Sequence, residues 1–153
     1  MTHVDVPHRL RELGLELPAL RQKAGNYLGC RAVGELLFLA GQGADGWVGR
    51  VGDDLTPEAG RLAARDCMLN LLAQTGQALD GDWSRFVAVV KVLGFVACTE
   101  DFTGCPGVLD GTSDLLVELF GDSGRHGRSA IGVQALPLGF AVEIEMIVQI
   151  RSA

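Results

Sequence analysis

The stretch that decides the fold is RSAIGVQALPLGFAVEIEM, residues 128–146. Alternating side chains on either side of Pro137-Leu138-Gly139 predict two strands joined by a turn, and we expect these strands to form a hairpin. Arg128 opens the first strand, and the second strand carries Glu143 and Glu145. These charges raise the question of whether the arginine pairs with the acids or holds something else.

The expected register argues against an ion pair between Arg128 and Glu143. Antiparallel pairing around the turn places Glu143 opposite Val133 or Ala135. Arg128 then lies roughly 16 Å further along the ladder, at about 3.3 Å per residue. We therefore predict another partner for Arg128. If Arg128 is an ordinary strand-edge residue, that partner is water, and if Arg128 is functional, it is a ligand. Glu143 and Glu145 by themselves fit a solvated strand face.

Small residues around Arg128 favour a ligand. A loop with glycine at both ends, Gly124-Arg125-His126-Gly127, precedes it, and Ala130 and Gly132 follow on the same strand face. Small side chains leave the backbone accessible to a ligand. The planar guanidinium fork matches the two oxygens of a carboxylate.

The length, composition and charge of the chain limit the classes of protein to which it can belong. A chain of 153 residues with 48% hydrophobic and 21% charged residues is typical of a single soluble globular domain, residues 1–153. The net charge of −6 and the scattered basic residues disfavour a nucleic-acid partner. The N-terminus lacks the layout of a signal peptide, and no run of about 18 apolar residues could span a membrane. We expect a cytoplasmic protein without a membrane partner.

The cysteines and histidines lack the spacing of a disulfide framework or a metal site. The four cysteines form no CxxC pair, and three of them lie in apolar or periodic segments. The three histidines lack metal-ligand spacing. We therefore expect reduced thiols and no metal. The residues concerned are Cys30, Cys67, Cys98, Cys105, His3, His8 and His126.

The whole chain predicts an α+β fold with the order helix, β, β, short β, α, β, α, β, β. Asp5 caps a short helix in an N-terminal helical extension, residues 1–23, and Thr56-Pro57 starts a helix of about six turns. The other segments are a hairpin at residues 26–42, a short strand near residues 48–51, a strand at residues 86–98 and a helix from Pro106 to near Gly121. We expect the two main helices to pack on one face of a mixed sheet.

The second face of that sheet needs cover from outside the chain. Two helices can shelter a single face, whereas the strand at residues 86–98 is apolar on both faces. Residues 140–150 also present a full apolar face. Another copy of the chain is the economical cover, so we predict a homo-oligomer.

Several motifs taken together resemble the RidA/YjgF family. They are FLAGQ at residues 38–42, the helix after Thr56, VKVLGFV at residues 90–96, DF at residues 101–102 and RSAIGVQALPLGFAVEIE at residues 128–145, with AGNY at residues 24–27 and SDLLVELFG at residues 113–121 typical of the longer branch. The resemblance covers roughly residues 24–150. It implies a chorismate-mutase-like fold assembled as a homotrimer, with ligand clefts between the subunits.

The well-described members of the family hydrolyse reactive 2-imino acids and enamines to 2-oxo acids and ammonia. By matching motifs, the resemblance implies that Arg128 holds the substrate carboxylate and that Glu143 assists the attacking water. It also implies that Tyr27 lines the pocket and that the backbone around Ala130 contacts the imine nitrogen. It implies neither a metal nor an organic cofactor.

The chain departs from the family pattern at three places in the expected site. Ala40 stands where many relatives carry a serine before Gly-Gln, and Ala130 replaces a frequent cysteine. Asp110 lies near the place of a substrate-binding asparagine, where its charge would repel an anionic substrate. These departures bear on substrate preference.

Three functions fit the sequence. The first is a cofactor-free 2-imino-acid deaminase, and the second is a non-catalytic trimeric binder of small carboxylates anchored by Arg128. The third is the ribonuclease activity behind an older name of the family. The acidic balance and the small number of aromatic residues count against the third. Release of ammonia or a keto acid from a freshly made imino acid separates the first two.

Overall fold

The computed structural model of the protein describes residues 3–153. Its helices and strands are α1 (Val6–Glu12), β1 (Cys30–Val33), β2 (Leu36–Gln42), α2 (Pro57–Ala78), β3 (Phe86–Ala97), α3 (Cys105–Phe120), β4 (Gly127–Val133) and β5 (Val142–Ile150). This order confirms the predicted α+β fold. The short strand expected near residues 48–51 is reduced to isolated bridges made by Val48 and Val51.

The predicted helix starts are confirmed by their caps. The Asp5 carboxylate accepts a hydrogen bond from the His8 amide at 3.0 Å, and the Thr56 hydroxyl accepts one from the Ala59 amide at 3.1 Å. Pro57 then occupies the first position of α2, where no N–H partner is lost. The 22 residues of α2 give the expected six turns.

The five strands form a mixed sheet in the order β1-β2-β5-β3-β4. β3 and β4 run parallel, and the other neighbours are antiparallel. The predicted hairpin between β4 and β5 is therefore wrong, because β3 lies between them and pairs with both. Parallel strands need a crossover connection, and α3 provides it between β3 and β4.

The two long helices cover one face of the sheet, as predicted. α2 packs over β2 and β5, and α3 packs over β3 and β4. The apolar residues of β5 belong to this covered face, so the expectation that they need outside cover is wrong. They are Val142, Ile144, Met146, Val148 and Ile150.

The opposite face of the sheet has no helix over it within residues 3–153. Apolar side chains are exposed there, with Phe38 on β2 41% exposed and Ile131 on β4 47% exposed. We call this surface the open face. It is the face that the sequence predicts a second copy of the chain to cover.

The N-terminal segment is attached to the core although only part of it is helical. Val6 and Leu10 of α1 are fully buried, and Leu13, Leu15 and Leu17 pack against the core from the irregular chain that follows. The first two residues of the predicted 1–23 extension lie outside the described residues. Within the described part of the chain, no helix combines the length and apolar character needed to cross a bilayer.

The close approach of α2 and α3 depends on Gly111. A Cβ atom at this position would collide with the backbone carbonyl oxygen of Arg61 on α2, which cannot move aside as a side-chain end could. The contact sets the position of the α3 turn that carries Asp110. Gly107 lies one turn earlier on α3, and a Cβ atom there would meet nothing within 4 Å.

We expect Gly111→Ala to lower the free energy of unfolding by about 1–3 kcal/mol, because the helices must separate to admit the methyl group. Urea denaturation measures the effect. The matched control is Gly107→Ala, which should be neutral or stabilising by up to about 1 kcal/mol. Equal losses in the two variants would show that the helix contact does not depend on Gly111.

Candidate functional site

Arg128 points to the helix-covered side of the sheet. In the parallel ladder it lies opposite Val92, which is fully buried under the helices, and Ala130 lies opposite Gly94. Directly opposed residues share a face, so Arg128 and Ala130 both face α3. Because β4 is the edge strand, the arginine stands at the border between the helix layer and the outside.

The partners of Arg128 come from α3. Its Nη1 donates to Asp110 Oδ1 at 2.9 Å and to Ser113 Oγ at 3.1 Å. Asp110 and Ser113 are three residues apart, which places them on one side of the helix. The question raised by the sequence is thus answered within the chain, because Arg128 pairs with Asp110 and not with Glu143 or Glu145.

His126 anchors this group to the backbone. Its Nδ1 lies 2.7 Å from the Gly124 carbonyl oxygen and therefore donates, which leaves Nε2 to accept from the Ser113 hydroxyl at 3.0 Å. Burial lowers the pKa of His126, and the Arg128 charge lowers it further, although the Gly124 carbonyl acts in the opposite direction. The neutral imidazole turns the Ser113 hydroxyl so that its oxygen faces Arg128.

Glu143 lies on the open face, on the other side of the sheet from Arg128. Both Glu143 and Ile131 are opposite Phe95 in the ladder, so Glu143 is level with a β4 residue three positions beyond Arg128. Burial raises the pKa of Glu143, and the neighbouring Glu145 carboxylate raises it further. The two charged residues that the resemblance assigns to one ligand are therefore separated by the sheet.

Gly41 makes room for the Glu143 side chain. A Cβ atom at Gly41 would stand 3.2 Å from the carboxyl carbon of Glu143 and 3.3 Å from its Cγ. The glycine of the FLAGQ motif thus lets this acid lie against β2. Ala40, the neighbouring departure from the family pattern, borders a cavity of about 270 Å³ on the open face together with Lys91.

Arg21 partly compensates the negative charge around Glu143. Its positive charge lowers the pKa of Glu143 and partly offsets the effects of burial and Glu145. The guanidinium carbon lies 4.9 Å from the centre of the Phe140 ring, and Nη2 is 3.0 Å from Asp45 Oδ1. These contacts fix Arg21, which belongs to the N-terminal segment, beside the start of β5.

Tyr27 lies at the opposite edge of the sheet from Arg128. It is 47% exposed in the loop before β1, and its hydroxyl accepts from the Ala24 amide at 3.4 Å. The edge strands β1 and β4 are four strand spacings apart, or about 19 Å. One chain therefore brings together Arg128, Asp110 and Ala130, and it leaves Tyr27 and Glu143 elsewhere.

Three residues that contact or influence Arg128 or Glu143 were given no role in the site by the sequence analysis. Ser113 could have been found from its spacing of three from Asp110 on a helix. His126 lies directly before β4 and two residues before Arg128, a spacing that alternation places on the side of Arg128. Arg21 has no local signal, because its contacts with Phe140 and Asp45 join distant parts of the chain. Within residues 3–153, no three His, Cys, Asp or Glu side chains cluster in a way that could hold a metal ion.

Comparisons with known proteins identify a family and a curated relative. A family model described as "YjgF/chorismate mutase-like, putative endoribonuclease" matches residues 7–149. Protein TCP17 of Trypanosoma cruzi is 39% identical over 153 residues, covering 96% of this chain and 95% of that protein.

Two solved structures are similar over nearly the whole chain. The crystal structure of the protein Atu1372 from Agrobacterium tumefaciens has a TM-score of 0.88 at 38% identity, with 95% of this chain and 94% of that chain covered. A protein from Shewanella oneidensis MR-1, described as a "putative endoribonuclease", also has a TM-score of 0.88, at 34% identity, with 93% and 97% covered.

We expect Glu143→Gln to raise the melting temperature at neutral pH, because the variant removes a half-buried carboxylate whose pKa is raised by burial. A raised folded-state pKa means that wild-type Glu143 gains stability on protonation, as the pH falls through that value. The advantage of the variant should therefore shrink towards pH 4.5 and vanish below it. Melting curves from pH 4 to 8 measure this, and a constant difference at every pH would contradict it.

Proposed function

The chain belongs to the YjgF/chorismate mutase-like family, and we propose that it hydrolyses 2-imino acids and their enamine tautomers to 2-oxo acids and ammonia. The observation that carries the proposal is the Arg128 guanidinium, which lies at the sheet edge and uses only Nη1 in the contacts described above. Its other nitrogens are free to hold the carboxylate of a small acid.

We place the site between two subunits of a homotrimer. Arg128 and Glu143 lie on opposite faces of one sheet, so a single ligand can meet both only if they come from different chains. The exposed apolar side chains of the open face support this arrangement, because a neighbouring subunit would bury them. When the edge region of one copy meets the open face of the next, the contact is head to tail, and such contacts close into a ring when the rotation between copies is a fixed fraction of a turn.

In the proposed reaction, Arg128 of one subunit holds the substrate carboxylate and the backbone around Ala130 contacts the imine nitrogen. Glu143 of a neighbouring subunit positions the water and takes its proton as the oxygen attacks the imine carbon. Tyr27 of that neighbour lines the pocket. The C=N electron pair moves to nitrogen, which takes the proton back from Glu143 and leaves as ammonia while the new hydroxyl loses its proton and becomes the carbonyl. The chemistry needs an anion clamp, a placed water and one proton-transfer group.

The raised pKa of Glu143 suits this role. A carboxylate whose pKa is raised by burial is a stronger base than a solvated one. Gly41 keeps the side chain against the sheet and so limits the directions in which it can point. Glu145, two residues further along the same face, is more exposed and does not have this contact.

We expect Glu143→Gln to lower the turnover of imino acids by about 10²-fold while substrate binding changes little, since the amide keeps the shape but not the base. An amino-acid oxidase supplies fresh imino acids, and ammonia release is followed with and without the protein. Glu145→Gln is the matched control and should retain most of the activity. Equal losses in both variants would make the acids structural, and no acceleration by the wild type would favour a non-catalytic binder.

A further inference from the structure

We propose that Arg128 and Asp110 act as one recognition site for ligands that carry a carboxylate beside a protonated nitrogen. Asp110 is then a specificity-determining residue that favours the iminium substrate over the 2-oxo acid product. This inference rests on the proposed function and names the chemical class that its site selects.

The geometry leaves both members of the pair open to a ligand. Asp110 is bound to Arg128 through Oδ1, and the side chains of Asp110 and Arg128 are 50% and 23% exposed. The contact uses Nη1 of the guanidinium. In the proposed complex, a small ligand contacts the remaining Arg128 nitrogens and Asp110 Oδ2 at the same time.

The position of the pair is built into the fold. Ser113 accepts from the same Nη1 atom, and its hydroxyl proton is directed to His126, which is itself bound to the Gly124 carbonyl. A chain of hydrogen bonds thus runs from the backbone to the guanidinium. An isolated surface ion pair lacks such hydrogen bonds, and its Coulomb attraction alone holds the two side chains together only weakly.

Charge balance decides which ligand fits. The Arg128–Asp110 pair is neutral before a ligand arrives, so a ligand with only a carboxylate leaves one uncompensated negative charge beside Asp110. A ligand whose carboxylate is adjacent to an iminium or ammonium group keeps the site neutral, because the cationic nitrogen can donate to Asp110. Ligands of net charge zero are therefore favoured.

The reaction changes the net charge of the ligand. Water adds to the carbon of the protonated imine and gives one proton to Glu143, which passes it to the nitrogen. The C–N bond then breaks, nitrogen leaves as ammonia with the bonding electron pair, and the new hydroxyl releases its proton to water as it becomes the carbonyl. The substrate has a cationic N–H group next to its carboxylate, and the 2-oxo acid has none. Asp110 accordingly stabilises the protonated substrate, which is the electrophilic form, and weakens product binding.

L-Alanine and pyruvate are suitable probes, because they share a carbon skeleton and differ in the charged nitrogen. We expect wild-type protein to bind alanine at least tenfold more tightly than pyruvate in an NMR titration. In Asp110→Asn the carboxylate is lost and the shape is kept. Pyruvate should therefore bind about tenfold more tightly than it binds the wild type, and the preference for alanine over pyruvate should disappear. Asp110→Ser is a second variant in case the first does not fold.

Asp114→Asn is the matched control. Asp114 lies one turn further along α3 and pairs with Arg61, so its loss should leave the ratio of the two affinities unchanged. A preference for pyruvate in the wild type, a failure of alanine to bind, or an unchanged ratio in Asp110→Asn would overturn the proposal. If the protein turns over imino acids but Asp110→Asn leaves the affinity ratio unchanged, this inference alone is rejected. If the wild type prefers alanine but does not turn over imino acids, the deaminase function alone is rejected.

Discussion

The pairing of β3 with both β4 and β5 is the constraint on which the site depends. β3 meets β4 in parallel and β5 in antiparallel register, so it holds the two charged strands apart instead of letting them pair with each other. Arg128 then faces α3, while Glu143 faces the open side of the sheet. The site proposed above therefore has two halves, which a single chain cannot join.

The two halves differ in how their charges are balanced. On the helix side, Asp110 neutralises Arg128, and Ser113 and His126 fix the pair to the backbone. On the open face, Glu143 lies against Gly41 and near Glu145, with the Arg21 charge as a partial counterweight. The first half is suited to holding a small polar ligand, and the second is suited to accepting a proton.

Much of the fold was predictable because its signals are local. The caps at Asp5 and Thr56 depend on neighbouring residues, and the alternation around Arg128 correctly placed it on one strand face with Ala130. Alternation assigns side chains to faces but says nothing about which strand lies next to which. The hairpin prediction failed for that reason, since β4 pairs with a strand that precedes it by a whole helix.

The placement of the candidate site residues was predictable only in part for the same physical reason. The resemblance selected Arg128, Glu143 and Tyr27, but their distribution over two faces and two edges follows from the strand order. The partner of Arg128 comes from α3, which lies in contact with β4 only after the crossover has formed. A sequence that is apolar on both faces at residues 86–98 was the available clue that β3 is the interior strand.

Subunit mixing tests the two-chain site most directly. Arg128→Ala and Glu143→Gln subunits, each of low activity alone, are combined by refolding so that mixed assemblies form. Random mixing should restore about a quarter of the wild-type activity, because about a quarter of the clefts then receive Arg128 from one chain and Glu143 from its neighbour. Mixed assemblies no more active than their parents would contradict the account.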